Sequence, residues 1–256
     1  MTTKTIELNL IQENIKYLST DDLGNFIAVT SQNRIVTPGI KAPLELGVDL
    51  VMAKIINEER ILIVVHHPDT VENAVIIDYE GNCQVKFNIG NSINDIKING
   101  NKIIVSYFDE GILKGDKPDY DALAVFNLNG KQIFGFNSCT INEKLIDCYC
   151  VANQNGGKVI FNGYGNFSLQ ELDLHNLKLT SHKIPPPCIG AQSASTKAGN
   201  IIFHSTYQDK TSFFIWNHQS DTLHQINSEF KNLQSTENGV FFRVDKKSFT
   251  LISPLE

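Results

Sequence analysis

The segment INGNKIIVS, residues 98–106, passes from a polar Asn-Gly-Asn turn directly into a short apolar strand. Turn residues followed by a run of β-branched and aromatic residues are typical of a strand that follows a tight turn. The same transition recurs five more times, in DDLGNFIAV (21–29), NEERILIVV (57–65), QNGGKVIFN (154–162), TKAGNIIFH (196–204) and TENGVFFRV (236–244). The chain is therefore predicted to be all-β and built from a repeated unit.

The spacing of these strands indicates what the repeated unit is. Successive strands begin 35 to 56 residues apart, near the length of one four-stranded blade in WD40-like propellers. Their first residues are Phe26, Ile61, Ile103, Val159, Ile201 and Val240. Hairpins at 74–87, 123–136 and 168–182, each with a turn at its bend, fit the third and fourth strands of a blade.

The sequence thus predicts a six-bladed β-propeller of four-stranded antiparallel blades, forming a single domain over residues 1–256. The last unit lacks one strand, and KTIELNL (4–10) has no hairpin partner, so this N-terminal strand is expected to close the last blade. Closure protects sheet edges that would otherwise pair with other chains. A five-bladed propeller with a longer first unit is the nearest alternative, and a two-sheet sandwich is the third.

Composition and charge exclude several classes of partner. A formal charge of −6 without a run of Lys or Arg argues against nucleic acid and against an anionic membrane surface. The N-terminal segment lacks a secretory pattern, and no apolar run is long enough to cross a bilayer, so a cytoplasmic location is expected. The five cysteines are interpreted as free thiols, and the protein is expected to be a monomer.

Three segments carry a resemblance to known proteins: VSYFDEG (105–111), IDCYCVAN (146–153) and IGAQSASTKAGNIIF (189–203). Together they resemble a group of uncharacterised bacterial proteins in which a YFDEG loop, an Asp-Cys-Tyr segment and a GA-x-A strand recur in this order. The resemblance covers roughly residues 90–210. It implies a β-propeller and implies no activity.

In a propeller, the loops between second and third strands open on the same face as the starts of the inner strands. Candidate residues for binding a ligand or partner on those loops are His66, His67, Asp69, Tyr107, Asp109, Glu110, Tyr164, His204 and Tyr207. The starts of the inner strands would contribute Asp49, Asp95 and Asp147. Asp95 is four residues closer to the first residue of the next strand, Ile103, than Asp49 is to Ile61 or Asp147 is to Val159. It therefore reaches the level of the other two aspartates only if its hairpin is shorter by two residues in each strand.

Two interpretations of these aspartates stay open. If the three carboxylates converge on the channel, repulsion would raise their pKa values unless calcium or magnesium lay among them. Alternatively, each aspartate accepts backbone N–H bonds from its own turn and is structural. The histidines have the same two interpretations, as functional groups or as hydrogen-bonded residues of a loop or sheet rim.

The loop 107–122 interrupts the third unit with an acidic excursion, and it is expected to form an ordered lid or contact surface. Asp116, Asp119 and Asp121 do not have the spacing of an EF-hand.

No catalytic or cofactor fingerprint occurs in the chain, and no cofactor is required. The favoured function is a binding module that recognises another protein through an acidic, aromatic rim of Tyr107, Phe108, Tyr164 and Tyr207. The alternative is a propeller hydrolase or lyase that uses His66 or His204 beside Asp49 or Asp147.

Overall fold

The computed structural model describes residues 1–40, 44–66, 71–140, 143–165 and 167–256. Across these residues the strands form six four-stranded antiparallel sheets, which confirms the six-bladed propeller and makes the five-bladed alternative wrong. None of the helices in the described ranges is long and apolar enough to cross a bilayer.

The N-terminal strand β1 (Thr2–Glu7) belongs to the last blade, and the other strands follow blade by blade. Blades 1 and 2 contain β2 (Ile15–Thr20), β3 (Phe26–Thr30), β4 (Arg34–Val36), β5 (Leu44–Glu45), β6 (Asp49–Ile55), β7 (Arg60–His66), β8 (Ala74–Asp78) and β9 (Cys83–Phe87). Blades 3 and 4 contain β10 (Ile93–Asn99), β11 (Lys102–Tyr107), β12 (Leu123–Asn127), β13 (Gln132–Gly135), β14 (Asp147–Gln154), β15 (Lys158–Tyr164), β16 (Ser168–Asp173) and β17 (Lys178–Lys183). Blades 5 and 6 contain β18 (Ser193–Lys197), β19 (Asn200–His204), β20 (Phe213–Asn217), β21 (Thr222–Ile226), β22 (Gln234–Ser235), β23 (Phe241–Val244) and β24 (Ser248–Ser253).

The helical segments are short and lie between strands. They are α1 (Asp109–Lys114), α2 (Phe136–Cys139) and single 3₁₀ turns at Asp119–Asp121 and Pro186–Cys188.

The ring is closed by the N-terminal strand, as predicted. β1 pairs antiparallel with β24, from Thr2 opposite Ser253 to Glu7 opposite Ser248, and becomes the outermost strand of blade 6. The two ends of the chain therefore stabilise one sheet. This pairing covers an edge of β24 that would otherwise expose unpaired backbone groups.

The second strand of each blade forms most of the core. Ile61, Leu62 and Ile63 in β7 are fully buried, as are Ile103 and Ile104 in β11. Successive side chains of a strand point to opposite faces, so a continuous buried run requires both faces to be covered. Adjacent blades cover them here, which is why these strands read as unbroken apolar runs.

A β-bulge recurs in the inner strand of blades 1 to 4. In β10 the register shifts between Ile93 and Asp95, and in β14 it shifts between Cys148 and Cys150. β2 and β6 carry the same irregularity near their starts. Each bulge leaves one extra residue in the inner strand, and such a residue is re-aimed relative to its neighbours.

The bulges decide whether Asp95 reaches the level of the other two aspartates. Asp49 pairs with His66 and Asp147 pairs with Tyr164, so both lie before the bulge at the start of an inner strand. Asp95 pairs with Ser106 and lies after the bulge. Asp95 therefore lies further along its strand than the other two aspartates. The hairpin of blade 3 is not shorter by two residues in each strand, which an equal level would have required.

Candidate functional site

The three candidate metal-binding aspartates have three different environments, beginning with Asp49. Its Oδ1 lies 2.8 Å from Nζ of Lys16, the bulged residue of β2, and both side chains are largely exposed. The hydrogen bond and the charge of Lys16 lower the pKa of Asp49. Asp49 is thus the carboxylate of an exposed ion pair between blades 1 and 2.

Asp95 lies between two lysines. Its Oδ2 is 3.0 Å from Nζ of Lys97, and its Oδ1 is 3.5 Å from Nζ of Lys54. Oδ1 also accepts the N–H of Ile96 at 2.7 Å. Burial opposes ionisation here, but the charges of Lys97 and Lys54 outweigh it and lower the pKa of Asp95.

Asp147 lacks such a partner. Its Oδ1 is buried and has no hydrogen-bond partner among the described residues. Burial raises the pKa of Asp147 to about 6, and the nearby charge of Asp109 in α1 contributes in the same direction. Within the described ranges there is no group of three or more His, Cys, Asp or Glu placed to hold a metal ion. The three aspartates therefore do not assemble the cation site that their sequence positions suggested.

The candidate histidines are also separated. His66 is exposed at the end of β7, opposite Asp49 in the register. His204 is fully buried between Phe213 and Phe241, and its Nε2 lies 3.2 Å from the carbonyl oxygen of Phe230. Of the two interpretations of His204, the structure supports the hydrogen-bonded residue at the sheet rim, because its buried ring is not available to a ligand on the loop face. His67 and Asp69 lie outside the described residues.

Tyr107 differs from the other predicted rim aromatics. It is fully buried, and its hydroxyl donates to the carbonyl oxygen of Ile89 at 2.7 Å. Its assignment to an exposed contact surface is therefore wrong. Phe108, Tyr164 and Tyr207 are 46%, 47% and 49% exposed, so these three aromatic side chains are available to a partner.

Four aromatic rings form a continuous surface, here called the aromatic patch. Ring centroids are 5.4 Å apart for Tyr164 and Phe167, 6.4 Å for Phe167 and Tyr207, and 5.9 Å for Tyr207 and Tyr149. The hydroxyls of Tyr149 and Tyr207 are hydrogen-bonded to each other. Burial and this hydrogen bond raise the pKa of Tyr149, so its hydroxyl stays protonated at neutral pH.

The local sequence explains how the patch is held. Tyr149 is the extra residue of the bulge in β14. Phe167 adopts a left-handed backbone conformation with φ of 51°, which bulky residues rarely take. Gly190 lies against the ring of Tyr207, and a Cβ at that position would overlap the ring. Sequence reasoning missed Tyr149 and Phe167, since neither the bulge nor the left-handed residue has a local signature.

The aromatic patch has a lysine beside one of its rings and acidic residues on the side of blades 3 and 4. Nζ of Lys210 lies 5.8 Å from the centroid of the Tyr207 ring, so a cation of the chain already contacts the patch. Asp147 pairs with Tyr164 in the β14–β15 hairpin. Asp109 and Glu110 are exposed in the first turn of α1, and Oδ1 of Asp109 accepts the N–H of Glu110 at 2.8 Å.

The acidic excursion of blade 3 is ordered by its own carboxylates. Asp119 is buried and accepts the N–H groups of Asn91 and Ser92, each at 2.9 Å. Asp121 is fully buried and accepts the N–H of Ser138 at 3.0 Å. Of the three acids in the second half of this loop, Asp119 and Asp121 are thus committed to backbone donors, and Asp116 is exposed.

A cavity of about 440 Å³ opens at the opposite end of the inner strands. Its walls come from the last residues of β2 and β6, the second half of β10, Asn153 in β14 and both residues of β22. Asp95, Lys54 and Lys97 line it, whereas Asp49, Asp147, His66 and His204 do not. The candidate features therefore divide between two ends of the ring: the aromatic patch with Asp147, and the cavity with Asp95.

Comparison with known proteins supports the propeller fold and assigns no activity. No family model and no curated protein matches the chain. Among solved structures, PorZ, an essential bacterial surface component of the type-IX secretion system of Porphyromonas gingivalis, is 13% identical with a TM-score of 0.61. It matches 93% of this chain, which spans only 31% of PorZ. The likeness shows the fold alone.

Two further structures support the same conclusion. Hsv2 of Kluyveromyces lactis is 12% identical over 92% of this chain and 71% of its own, with a TM-score of 0.61. Virginiamycin B lyase from Staphylococcus aureus is 10% identical and covers 98% of both chains, with a TM-score of 0.50. The predicted resemblance over residues 90–210 is thus confirmed only in the propeller fold that it implied; its bacterial group stays a prediction.

Proposed function

We propose that this propeller is a recognition module that binds a basic, Lys- or Arg-bearing segment of another protein at the aromatic patch. The observation that carries this proposal is the continuous surface of Tyr149, Tyr164, Phe167 and Tyr207 beside carboxylates of blades 3 and 4. Clustered, partly exposed aromatic rings amid polar groups are the composition of interface anchors.

Charge favours a basic occupant over an acidic one. Asp147, Asp109 and Glu110 lie on the patch side of blades 3 and 4, and the chain carries a formal charge of −6. A cation above an aromatic face is attracted by the ring quadrupole, and Lys210 already occupies such a position on Tyr207. A partner's Lys or Arg would gain the same contact together with the carboxylates.

The hydrolase or lyase alternative has less support. It requires a histidine within reach of a carboxylate in a deep pocket. The cavity that holds Asp95 is not lined by His66 or His204. The pairing of His66 with Asp49 lies at an exposed strand end.

The proposal is tested with the intact protein and an array of equal-length peptides graded in Lys and Arg content, read by fluorescence anisotropy. Binding should strengthen with basic content, and Tyr207→Ser should weaken it roughly tenfold, since truncating an interface aromatic typically costs more than 1 kcal/mol. Leu23→Ser is the matched control, because Leu23 is a 70% exposed apolar residue in the turn between β2 and β3, at the other end of the ring.

Two outcomes would contradict the proposal. Peptides that bind equally well regardless of charge would remove the role of the carboxylates. Equal losses in Tyr207→Ser and Leu23→Ser would show that binding does not use the aromatic patch. Far-ultraviolet circular dichroism of both variants checks that the ring is intact.

A further inference from the structure

The cavity at the other end of the ring contains a lysine whose hydrogen-bonding capacity is not used by the protein. Nζ of Lys54 is within 3.5 Å of Oδ1 of Asp95 and lies 5.8 Å from the ring centroid of Tyr17. Among the described residues, that one long contact is its only hydrogen bond. An ammonium group has three donors, so Lys54 can still donate to a group inside the cavity.

Lys97 is the contrasting case in the same cavity. Its Nζ contacts Oδ2 of Asp95 at 3.0 Å, the carbonyl oxygen of Ser235 at 2.6 Å and Oγ of Ser235 at 3.4 Å. These three acceptors match its three donors. Lys97 is therefore a structural cation that connects blade 3 to blade 6, and Lys54 is the one with donors to spare.

At the inner end of the cavity, two lysines face one carboxylate. Lys54 and Lys97 share one carboxylate, Asp95, and leave one positive charge in excess at the inner end. The side chain of Lys54 is 13% exposed, so its charge is largely withdrawn from bulk water. A partly desolvated charge is costly unless it is paired, which makes this point a receptor for an anion.

Three further acidic residues of the lining, Asp21, Glu58 and Glu237, make the cavity as a whole formally negative, so the positive excess is confined to the point where Lys54 and Lys97 meet Asp95. Oδ1 of Asp21 accepts three backbone N–H groups of its own turn, those of residues 23, 24 and 25, at 2.8 to 3.0 Å. Oε1 of Glu237 accepts Nδ2 of Asn153 at 2.7 Å. Glu58 lies in the β6–β7 turn at the mouth. The mouth thus disfavours a ligand with several negative charges but admits one with a single charge.

The rest of the lining suits a hydroxylated molecule. Ser19, Asn57 and Gln234 supply hydroxyl and amide groups, and Tyr79 and Phe242 supply rings. Alternating polar groups and apolar walls in a volume of about 440 Å³ match small-molecule sites, which commonly range over about 300–1,000 Å³. This combination fits a sugar-like ligand better than a flat aromatic one.

We propose that the cavity binds a small hydroxylated monocarboxylate, of the class of the sugar acids, with its carboxylate at Nζ of Lys54 and its hydroxyls on the polar lining. The inference is independent of peptide recognition, because the patch and the cavity lie at opposite ends of the inner strands.

The test uses the intact protein with glucuronate, glucose and glucosamine as probes, which share a ring and differ in charge. Glucuronate at roughly 10 mM, well above a weak millimolar dissociation constant, should raise the midpoint of thermal unfolding and give a saturable isotherm by calorimetry. Glucose and glucosamine should bind at least about tenfold more weakly, since charge-assisted hydrogen bonds are the stronger class.

Substitutions of Lys54 and of two control residues test whether glucuronate binds in the cavity. Lys54→Gln should weaken glucuronate binding about tenfold or more, whereas Lys54→Arg should retain it because it keeps the charge. Lys86→Gln is the matched control, since Lys86 is an exposed lysine on the outer strand β9 of the same blade. Tyr207→Ser should leave glucuronate binding unchanged, which separates this proposal from peptide recognition.

Several results would overturn the inference. They are no saturable binding of glucuronate, equal binding of glucose and glucuronate, or unchanged affinity in Lys54→Gln. If Lys54→Gln does not fold, the charge series with the unsubstituted protein decides alone, and glucuronate that binds no better than glucose rejects the proposal.

Discussion

Asp95 and Asp147 lie on the inner strands of adjacent blades, yet their pKa values move in opposite directions. Burial acts against the charged form of both. Asp95 has Lys97 and Lys54 beside it and ionises more readily than usual, whereas Asp147 is near the like charge of Asp109 and ionises with more difficulty. The difference teaches that burial raises the pKa of a carboxylate in this ring unless lysines beside it outweigh that effect.

The two surroundings also suit different tasks. Asp95 is paired with two lysines in the wall of a cavity and leaves Lys54 with donors to spare. Asp147 has a buried oxygen with no partner in the described residues and lies beside exposed rings. The cavity is therefore suited to an anion, and the aromatic patch to a cation.

The largest expected effect on stability comes from removing the carboxylate of Asp95, which is paired with two lysines. Asp95→Asn should destabilise the protein by about 3 kcal/mol, because two lysines then lose the carboxylate between them. Urea unfolding at neutral pH measures this loss. Asp245→Asn removes an exposed partner 3.7 Å from Arg243 and should change stability by less than about 1 kcal/mol. Similar losses in the two variants would refute the importance of the Asp95 network.

Two acidic residues in the same loop of blade 3 test whether hydrogen bonding to the backbone decides how much a carboxylate contributes to stability. Asp119 accepts backbone N–H groups of Asn91 and Ser92, so Asp119→Ala should cost about 2 kcal/mol by leaving buried donors unsatisfied. Asp116→Ala, at an exposed position of the same loop, should be nearly neutral. Denaturant unfolding of both variants gives the comparison, and a neutral Asp119→Ala would contradict the clamped loop.

Asp147→Asn should stabilise the protein, the opposite sign to Asp95→Asn. The folded pKa of about 6 exceeds the usual 3.8, so the unsubstituted protein loses stability as the pH rises from about 4 to about 6. The shift would correspond to about 3 kcal/mol in full, but Asp147 is half-exposed, and screening reduces the expected gain at pH 7 to about 1 kcal/mol.

Urea unfolding at pH 4 and pH 7 tests this sign. The gain from Asp147→Asn should be present at pH 7 and absent at pH 4. Asp49→Asn is the control, because the lowered pKa of Asp49 predicts that its contribution is lost as the pH falls rather than as it rises. A gain of equal size at both pH values would show that the carboxylate of Asp147 is not responsible.

The smallest effect concerns recognition at the aromatic patch. Because Asp147 gains a proton as the pH falls through about 6, the affinity for a basic peptide should drop about threefold between pH 7 and pH 5, the effect of losing one partly exposed charge. Fluorescence anisotropy at several pH values measures the drop. Asp147→Asn should remove this pH dependence, and its persistence in that variant would indicate a different titrating group.

Some of the site was predictable from the sequence and some was not. The exposure of Tyr164 and Tyr207 was predictable, because Tyr164 ends the apolar second strand of its blade and Tyr207 follows one. Tyr107 was misplaced, because its position at the end of β11 does not show that its ring turns towards Ile89. The cavity was not predicted, since its charged residues come from separate blades and share no local pattern.

The amino-acid sequence by itself determined the six blades and the closing N-terminal strand, because strand alternation and turn chemistry act over a few residues. Only the tertiary structure decided how far along its strand Asp95 lies and that Lys54 and Lys97 both pair with it. It also decided that the rings of Tyr149 and Tyr207 contact each other. The physical reason is that bulges shift the register by one residue and that packing of neighbouring blades sets distances between strands. Both depend on contacts between residues far apart in the chain.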